Sequence, residues 1–164
     1  MCVSGAVRLP ADVHEEFERL SGVLLVEGYG LTEASPSTHC NPLSDARRPG
    51  TVGLPLPGTA CRVVDPDDAS REVPVGTAGE LVVRGPQVFQ GWWGSDDRPV
   101  IDDGWLLTGD LVVMDADGFF TVVDREEDVV VTGGHDVGEV RRQLVEEQQG
   151  LDEPARKTPR PDGR

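Results

Sequence analysis

An aromatic ring held between two glycines, followed by a hydroxyl and then a carboxylate, is a set of groups that can hold a nucleotide. Residues 28–33 supply it as Gly28-Tyr29-Gly30-Leu31-Thr32-Glu33. Glycines let a backbone pass close to a ligand, and a flat ring stacks on a base. The Thr32 hydroxyl can donate to a phosphate, and the Glu33 carboxylate can hold a hard cation such as Mg²⁺. Read from these residues alone, the stretch is equally a plain turn, because Gly-x-Gly pieces are common in turns. Asp110, directly after Gly109, is a second carboxylate. By itself it reads as an Asp ending a Gly-Asp turn.

These groups need elements to position them. The run Gly22-Val23-Leu24-Leu25-Val26-Glu27 is short, apolar and β-branched, which predicts a buried strand over 23–27. The aromatic motif then falls at the end of a strand, where open α/β sheets hold ligands. Upstream, Ser4 to Pro10 reads as a strand end and loop. Asp12 with Glu15 fits a capping box, and Val13, Phe17 and Leu20 share one helical face, so a short amphipathic helix is predicted over 11–21. From Thr51 onwards the pattern turns to β. Strands are predicted at 60–64 and 80–84 around the polar loop Asp65-Pro66-Asp67-Asp68, and a hairpin at 106–115 and 119–124 across Ala116-Asp117-Gly118. Trp92, Trp93 and Trp105 are expected to pack in the core or at the rim of a barrel.

Composition narrows the classes of function. The 164 residues carry a formal charge of −15, which argues against nucleic acid or an anionic membrane as the main partner. Charged residues at 27% and hydrophobic residues at 37% are ordinary for a globular chain. No run approaches the eighteen or so apolar residues of a membrane helix, and no leader pattern opens the chain, so a cytoplasmic location is expected. Cys2, Cys40 and Cys61 have no metal-like spacing and do not cluster with His14, His39 or His135, so free thiols and no zinc site are expected. Lys157 is the sole lysine; the other basic residues are arginines.

Several motifs in order resemble the adenylate-forming enzymes, and within them the long-chain acyl-CoA synthetases (fatty-acid–CoA ligases). They are Glu27 to Pro36, Arg48-Pro49-Gly50-Thr51-Val52-Gly53 with Leu54 to Gly58, and Gly79-Glu80-Leu81-Val82-Val83-Arg84-Gly85-Pro86. Gly91-Trp92-Trp93, Gly104-Trp105-Leu106-Leu107-Thr108-Gly109-Asp110 and Gly118 to Arg125 complete the series. The resemblance implies ATP-dependent activation of a fatty acid to an acyl-adenylate, followed by thioester formation with coenzyme A. It implies catalytic roles for Thr32, at the α-phosphate, and Glu33, as the Mg²⁺ ligand. It places Gly28, Tyr29, Gly30, Thr32, Asp110 and Arg125 around ATP or AMP, with Tyr29 on adenine and Asp110 and Arg125 on the ribose. Ser4-Gly5-Ala6 would lie near the adenine and acyl pocket, Glu127 would stand at the hinge of the small domain, and Gly133 and Gly134 would line the coenzyme A side.

The fold class implied is α+β and mostly β: a short N-terminal helix–strand piece, a distorted β-barrel-like subdomain, and the start of a small C-terminal domain. The expected divisions are 1–50 as the end of the α/β nucleotide-binding subdomain, 51–124 as the β-rich subdomain, 125–150 as hinge and truncated C-terminal domain, and 151–164 as a disordered tail. The chain also departs from the family pattern. No Ser/Thr/Gly-rich, lysine-containing phosphate loop precedes Tyr29, Glu127 stands where Lys or Asp is usual, and a proline expected before Glu139-Val140 is missing. The position of the family's catalytic lysine would fall on Arg164, and arginine is not a neutral replacement for a compact ammonium. The expectation is therefore a partial synthetase, inactive alone, with fatty acid, ATP and coenzyme A as substrates and a complementing chain as a partner. The alternative is a non-catalytic remnant that binds an adenine nucleotide or a protein.

Overall fold

Runs of Val, Leu, Phe and Trp broken by Gly- and Asp-rich turns dominate the middle of the chain, and they fold as antiparallel strands. The computed structural model describes residues 1–94 and 100–125. In chain order the elements are β1 (Cys2–Ser4), α1 (Ala11–Ser21), β2 (Leu25–Gly30), β3 (Ser37–Cys40), β4 (Leu54–Pro55) and β5 (Ala60–Asp65). They continue as β6 (Asp68–Glu72), β7 (Ala78–Arg84), β8 (Val100–Ile101), β9 (Trp105–Met114) and β10 (Phe120–Arg125). Single turns of 3₁₀ helix occupy Thr32–Ala34 and Asp102–Gly104. The mostly-β, α+β class expected from the sequence is the class observed.

Two sheets form. The first has the order β1-β2-β3-β4, with β1 parallel to β2 and the other pairs antiparallel. The second has the order β10-β9-β7-β5-β6, all antiparallel, with β8 added against β9; among the described residues it is open rather than closed into a barrel. Main-chain bonds stitch the two together at Gly53 and Phe120: Val52 N–H donates to the Phe120 carbonyl at 2.8 Å, and Phe120 N–H to the Gly53 carbonyl at 3.0 Å. All of these elements belong to one compact unit, Met1–Asp128.

The core lies on the second sheet. Val63, Leu81, Val83, Leu106, Val112 and Phe120 form a buried cluster, and Ala34 from the 3₁₀ turn joins it. Tyr29 and Leu31 pack against the same cluster from the first sheet.

Local expectations meet the structure unevenly. Strand β2 runs from Leu25 to Gly30, so Gly28, Tyr29 and Gly30 form the last residues of the strand, and Leu31, Thr32 and Glu33 follow its end. Helix α1 has the predicted span, but its N-cap is Pro10, with no side-chain capping bond, and Asp12 lies inside the first turn. The capping box is therefore not formed, since a cap must stand outside the helical turn whose N–H groups it accepts. The face carrying Val13, Phe17 and Leu20 is exposed, and the buried residue of α1 is His14. Trp105 is buried as expected, whereas Trp92 and Trp93 are exposed, with Trp92 edge-on to Phe89 at 5.2 Å between ring centres. The three cysteines are free thiols. The hinge residue Glu127, the loop glycines Gly133 and Gly134, and the tail 151–164 lie outside the described residues.

Candidate functional site

The motif that opens with Gly28 is placed by a cross-strand register that few residue types would tolerate. In the β2–β3 pair, Gly28 stands opposite Cys40, Tyr29 opposite His39, and Gly30 opposite Ser37, so that Thr38 is an extra residue in a bulge. A Cβ at Gly30 would meet the Pro36 carbonyl oxygen at 1.7 Å, so only glycine fits this close crossing. The bulge turns both Thr38 and His39 inward, where they are buried behind Tyr29.

Asp110 arrives from the other sheet on a bulge of its own. Val82 pairs with Leu107 and Glu80 with Leu111, so Thr108, Gly109 and Asp110 together face Leu81. Three bonds pin this excursion. The Thr108 hydroxyl donates to the Leu81 carbonyl at 2.8 Å, Gly109 N–H to the Glu80 carboxylate at 3.1 Å, and Asp110 N–H to the Thr108 hydroxyl at 3.1 Å. Gly109 has φ of +69°, a left-handed value that glycine adopts without strain. Glu80 is buried beneath the bulge. The sequence places it only in a family-like motif and at the start of the predicted strand 80–84, and neither marks it as a support for Asp110.

The two excursions meet. The Tyr29 hydroxyl donates to Asp110 Oδ2, and Gly28, Tyr29, Gly30 and Asp110 line one cleft together with Ser4 at the end of β1 and Ala6 and Arg8 of the β1–α1 loop. Arg125 is the register partner of Asp110 across β9 and β10, which sets its backbone beside the same carboxylate. Thr32 and Glu33 are not part of the cleft lining. They sit on the 3₁₀ turn just beyond it, where Phe89 N–H donates to the Glu33 carbonyl at 2.8 Å.

A buried polar network supports the floor. Glu27, which lines the cleft, accepts Gly50 N–H at 2.8 Å and faces His14 Nδ1 at 3.2 Å. Glu18 accepts Leu25 N–H at 2.7 Å and a guanidinium N–H of Arg47 at 2.8 Å. The Leu25 N–H, reinforced by Arg47 and His14, holds the Glu18 carboxyl below its ordinary range. Deeper in, burial pushes His39 down to about 4 and the Cys61 thiol up to about 12, so both are neutral near pH 7.

Residues 1–93, more than half of the chain, match the AMP-binding enzyme family. This chain belongs to that family. Among curated AMP-binding relatives, the long-chain-fatty-acid–CoA ligase of Bacillus subtilis (strain 168) is 41% identical over 138 residues, which are 83% of this chain and 24% of that protein. The ligase of the same description from Salmonella typhimurium is 44% identical over 139 residues, 84% of this chain and 24% of that one. Feruloyl-CoA synthase from an Amycolatopsis species is 37% identical over 146 residues, 85% of this chain and 29% of that enzyme. The chain thus spans about a quarter of the fatty-acid ligases it matches. Among solved structures, ATP-bound MatB from Rhodopseudomonas palustris superposes with a TM-score of 0.74 at 39% identity, covering 82% of this chain and 27% of that one. A benzoate CoA ligase from Burkholderia xenovorans gives 0.72 at 26% identity, covering 90% of this chain and 29% of that one.

Proposed function

We propose that this chain forms the adenosine-holding part of an AMP-forming ligase that activates a fatty acid with ATP and passes the acyl group to coenzyme A. The observation that carries the reading is the convergence of Tyr29 and Asp110, from two different sheets, on one cleft floored by glycines. Tyr29 offers a ring face to adenine, and Asp110 offers carboxylate oxygens to the ribose diol, with Arg125 joining from the adjoining strand. Gly28 and Gly30 line the same cleft with backbone, while a Cβ at either would point at the backbone of the neighbouring strand. Thr32, beyond the cleft, is the group for the α-phosphate.

Glu33 is a fitting ligand for Mg²⁺. Its backbone is fixed through the Phe89 bond and its side chain is partly exposed, and Mg²⁺ in nucleotide sites takes one or two carboxylates along with phosphate oxygens. The ion would screen the charge of the phosphates there. Glu33 would orient it.

The lining equips the cleft for holding a nucleoside more than for transfer. Adenylation builds negative charge at the α-phosphorus, and pre-placed cations lower that barrier; losing one such donor costs on the order of a hundred- to a thousandfold in rate. Arg8 is the one cation among the described lining residues. We therefore infer that the chain alone binds AMP without releasing acyl-CoA, and that a complementing chain supplies the remaining groups in the cytoplasm. Among the described residues no helix is long and apolar enough to cross a membrane.

Calorimetry with AMP tests the reading. Wild type should bind, and Asp110→Ala should weaken binding about tenfold through loss of charge-assisted hydrogen bonds. Equal affinity of wild type and Asp110→Ala would contradict it. In parallel, ATP–pyrophosphate exchange with oleate separates the ligase reading from a nucleotide-binding remnant: exchange that appears only on adding a complementing family fragment supports the former.

A further inference from the structure

His39 is a residue for which nucleotide chemistry has no direct use, yet it is almost wholly buried at 1% exposure behind the aromatic of the cleft. Its ring stands edge-on to Tyr29, with ring centres 5.8 Å apart at 62°, and tilts against Phe120 at 4.6 Å and 59°. Phe120 belongs to the main core and to the bonds that stitch the two sheets, so His39 is wedged between that fixed ring and Tyr29.

A relay of hydrogen bonds passes through it. The Thr38 hydroxyl donates to the Tyr29 carbonyl at a long 3.5 Å and shares a 2.9 Å hydrogen bond with His39 Nδ1. His39 Nε2 stands 3.4 Å from the Cys61 sulfur. A thiol kept protonated by burial and an imidazole kept neutral by burial are the two states this relay requires. The chain Cys61–His39–Thr38–Tyr29 therefore reaches Tyr29 twice, once through its carbonyl and once through the edge of its ring.

We propose that His39 is a positioning residue that fixes the plane of the Tyr29 ring and, resting on the nucleotide reading above, the face that ring offers to a purine base. It touches no substrate. Its effect passes through Tyr29, and what matters is a neutral flat ring of this size in this place.

Tyr29 is the only tyrosine of the chain, so the full-length protein labelled with ring-¹³C tyrosine reports it as a single signal. His39→Leu keeps bulk and removes the ring; His39→Phe keeps the ring and removes the nitrogens. The expected result is a shifted or broadened Tyr29 signal in folded His39→Leu, with AMP affinity down roughly threefold to tenfold, a fraction of what one base–aromatic stack supplies. His39→Phe should restore both. A folded His39→Leu with an unmoved Tyr29 signal overturns the proposal, as does failure of His39→Phe to restore it. A role in stability alone would change the melting temperature of these variants without moving the signal below the melt. Should His39→Leu not fold, His39→Met removes the flat ring while keeping a side chain of similar volume: a moved Tyr29 signal supports the proposal and an unmoved one overturns it. If wild type binds no AMP, the nucleotide reading fails while the ring signal still decides the claim about His39.

Discussion

The two sheets that meet at the cleft are held together by opposite means. The second sheet, β5 to β10, is filled with Val63, Val64, Leu81, Val82, Val83, Leu106, Leu111, Val112 and Phe120, all buried and apolar, with Glu80 and Asp110 at the bulge as its buried polar groups. Around the first sheet, β1 to β4, the buried side chains are largely polar: Glu27, Thr38 and His39 on its strands, His14 on α1 and Asn41 just after β3, beside the apolar Leu25 and Val26. An apolar core is tolerant of pH and sensitive to volume; a buried polar network is the reverse, because each group depends on a partner and on its own charge state. The candidate site joins one wall of each kind. Asp110 rides on a bulge anchored in the rigid sheet, and Tyr29 on a strand whose neighbours are ionisable or hydrogen-bonded.

Removing volume from the second sheet should have the largest effect on stability. Leu81→Ala, at a fully buried centre, should lower unfolding free energy by about 2–5 kcal/mol in urea titration. The same measurement should show no more dependence on pH than wild type.

pH should act instead through the first sheet. His39 titrates at about 4 when folded, against 6.5 in its ordinary state. A base whose folded pKa is depressed contributes its full stability above the unfolded value, and that contribution shrinks as pH falls from 6.5 towards 4. The whole window corresponds to roughly 3 kcal/mol at most. His39→Phe should remove this part of the slope, so equal slopes for the two proteins between pH 6.5 and 4 would erase the contrast between the sheets.

Asn41 sharpens the contrast without a charge. Its amide donates to the Thr51 carbonyl at 2.7 Å and its oxygen accepts Arg48 N–H at 2.9 Å, closing the β3–β4 loop. Asn41→Ala leaves those backbone groups unpaired and should cost about 1–3 kcal/mol by denaturant unfolding. At the small end, Leu20→Lys on the outer face of α1 should change stability by less than about 0.5 kcal/mol, because Leu20 is 69% exposed.

What the sequence revealed follows the same division. Strands β5, β7, β9 and β10 were legible because short apolar runs bounded by Gly- and Asp-rich turns mark buried strands. The residues Gly28, Tyr29, Gly30 and Asp110 were legible as a motif, and the fold brings them to one cleft. The supporting residues were not. Glu80, Glu27 and His39 gain their roles from bulges and cross-sheet contacts, which no spacing along the chain encodes. The apolar stripe Val13, Phe17 and Leu20 misled for the converse reason: periodicity marks an apolar face, and only packing decides whether that face is covered.

The place where a nucleotide sits is the most direct test. Titrating AMP into the ¹⁵N-labelled full chain should perturb the amides of Ser4–Arg8, Gly28–Gly30 and Asp110, the two walls of the cleft. Perturbations confined to Val13–Leu20 or to the β5–β6 hairpin, or none at saturating AMP, would contradict it.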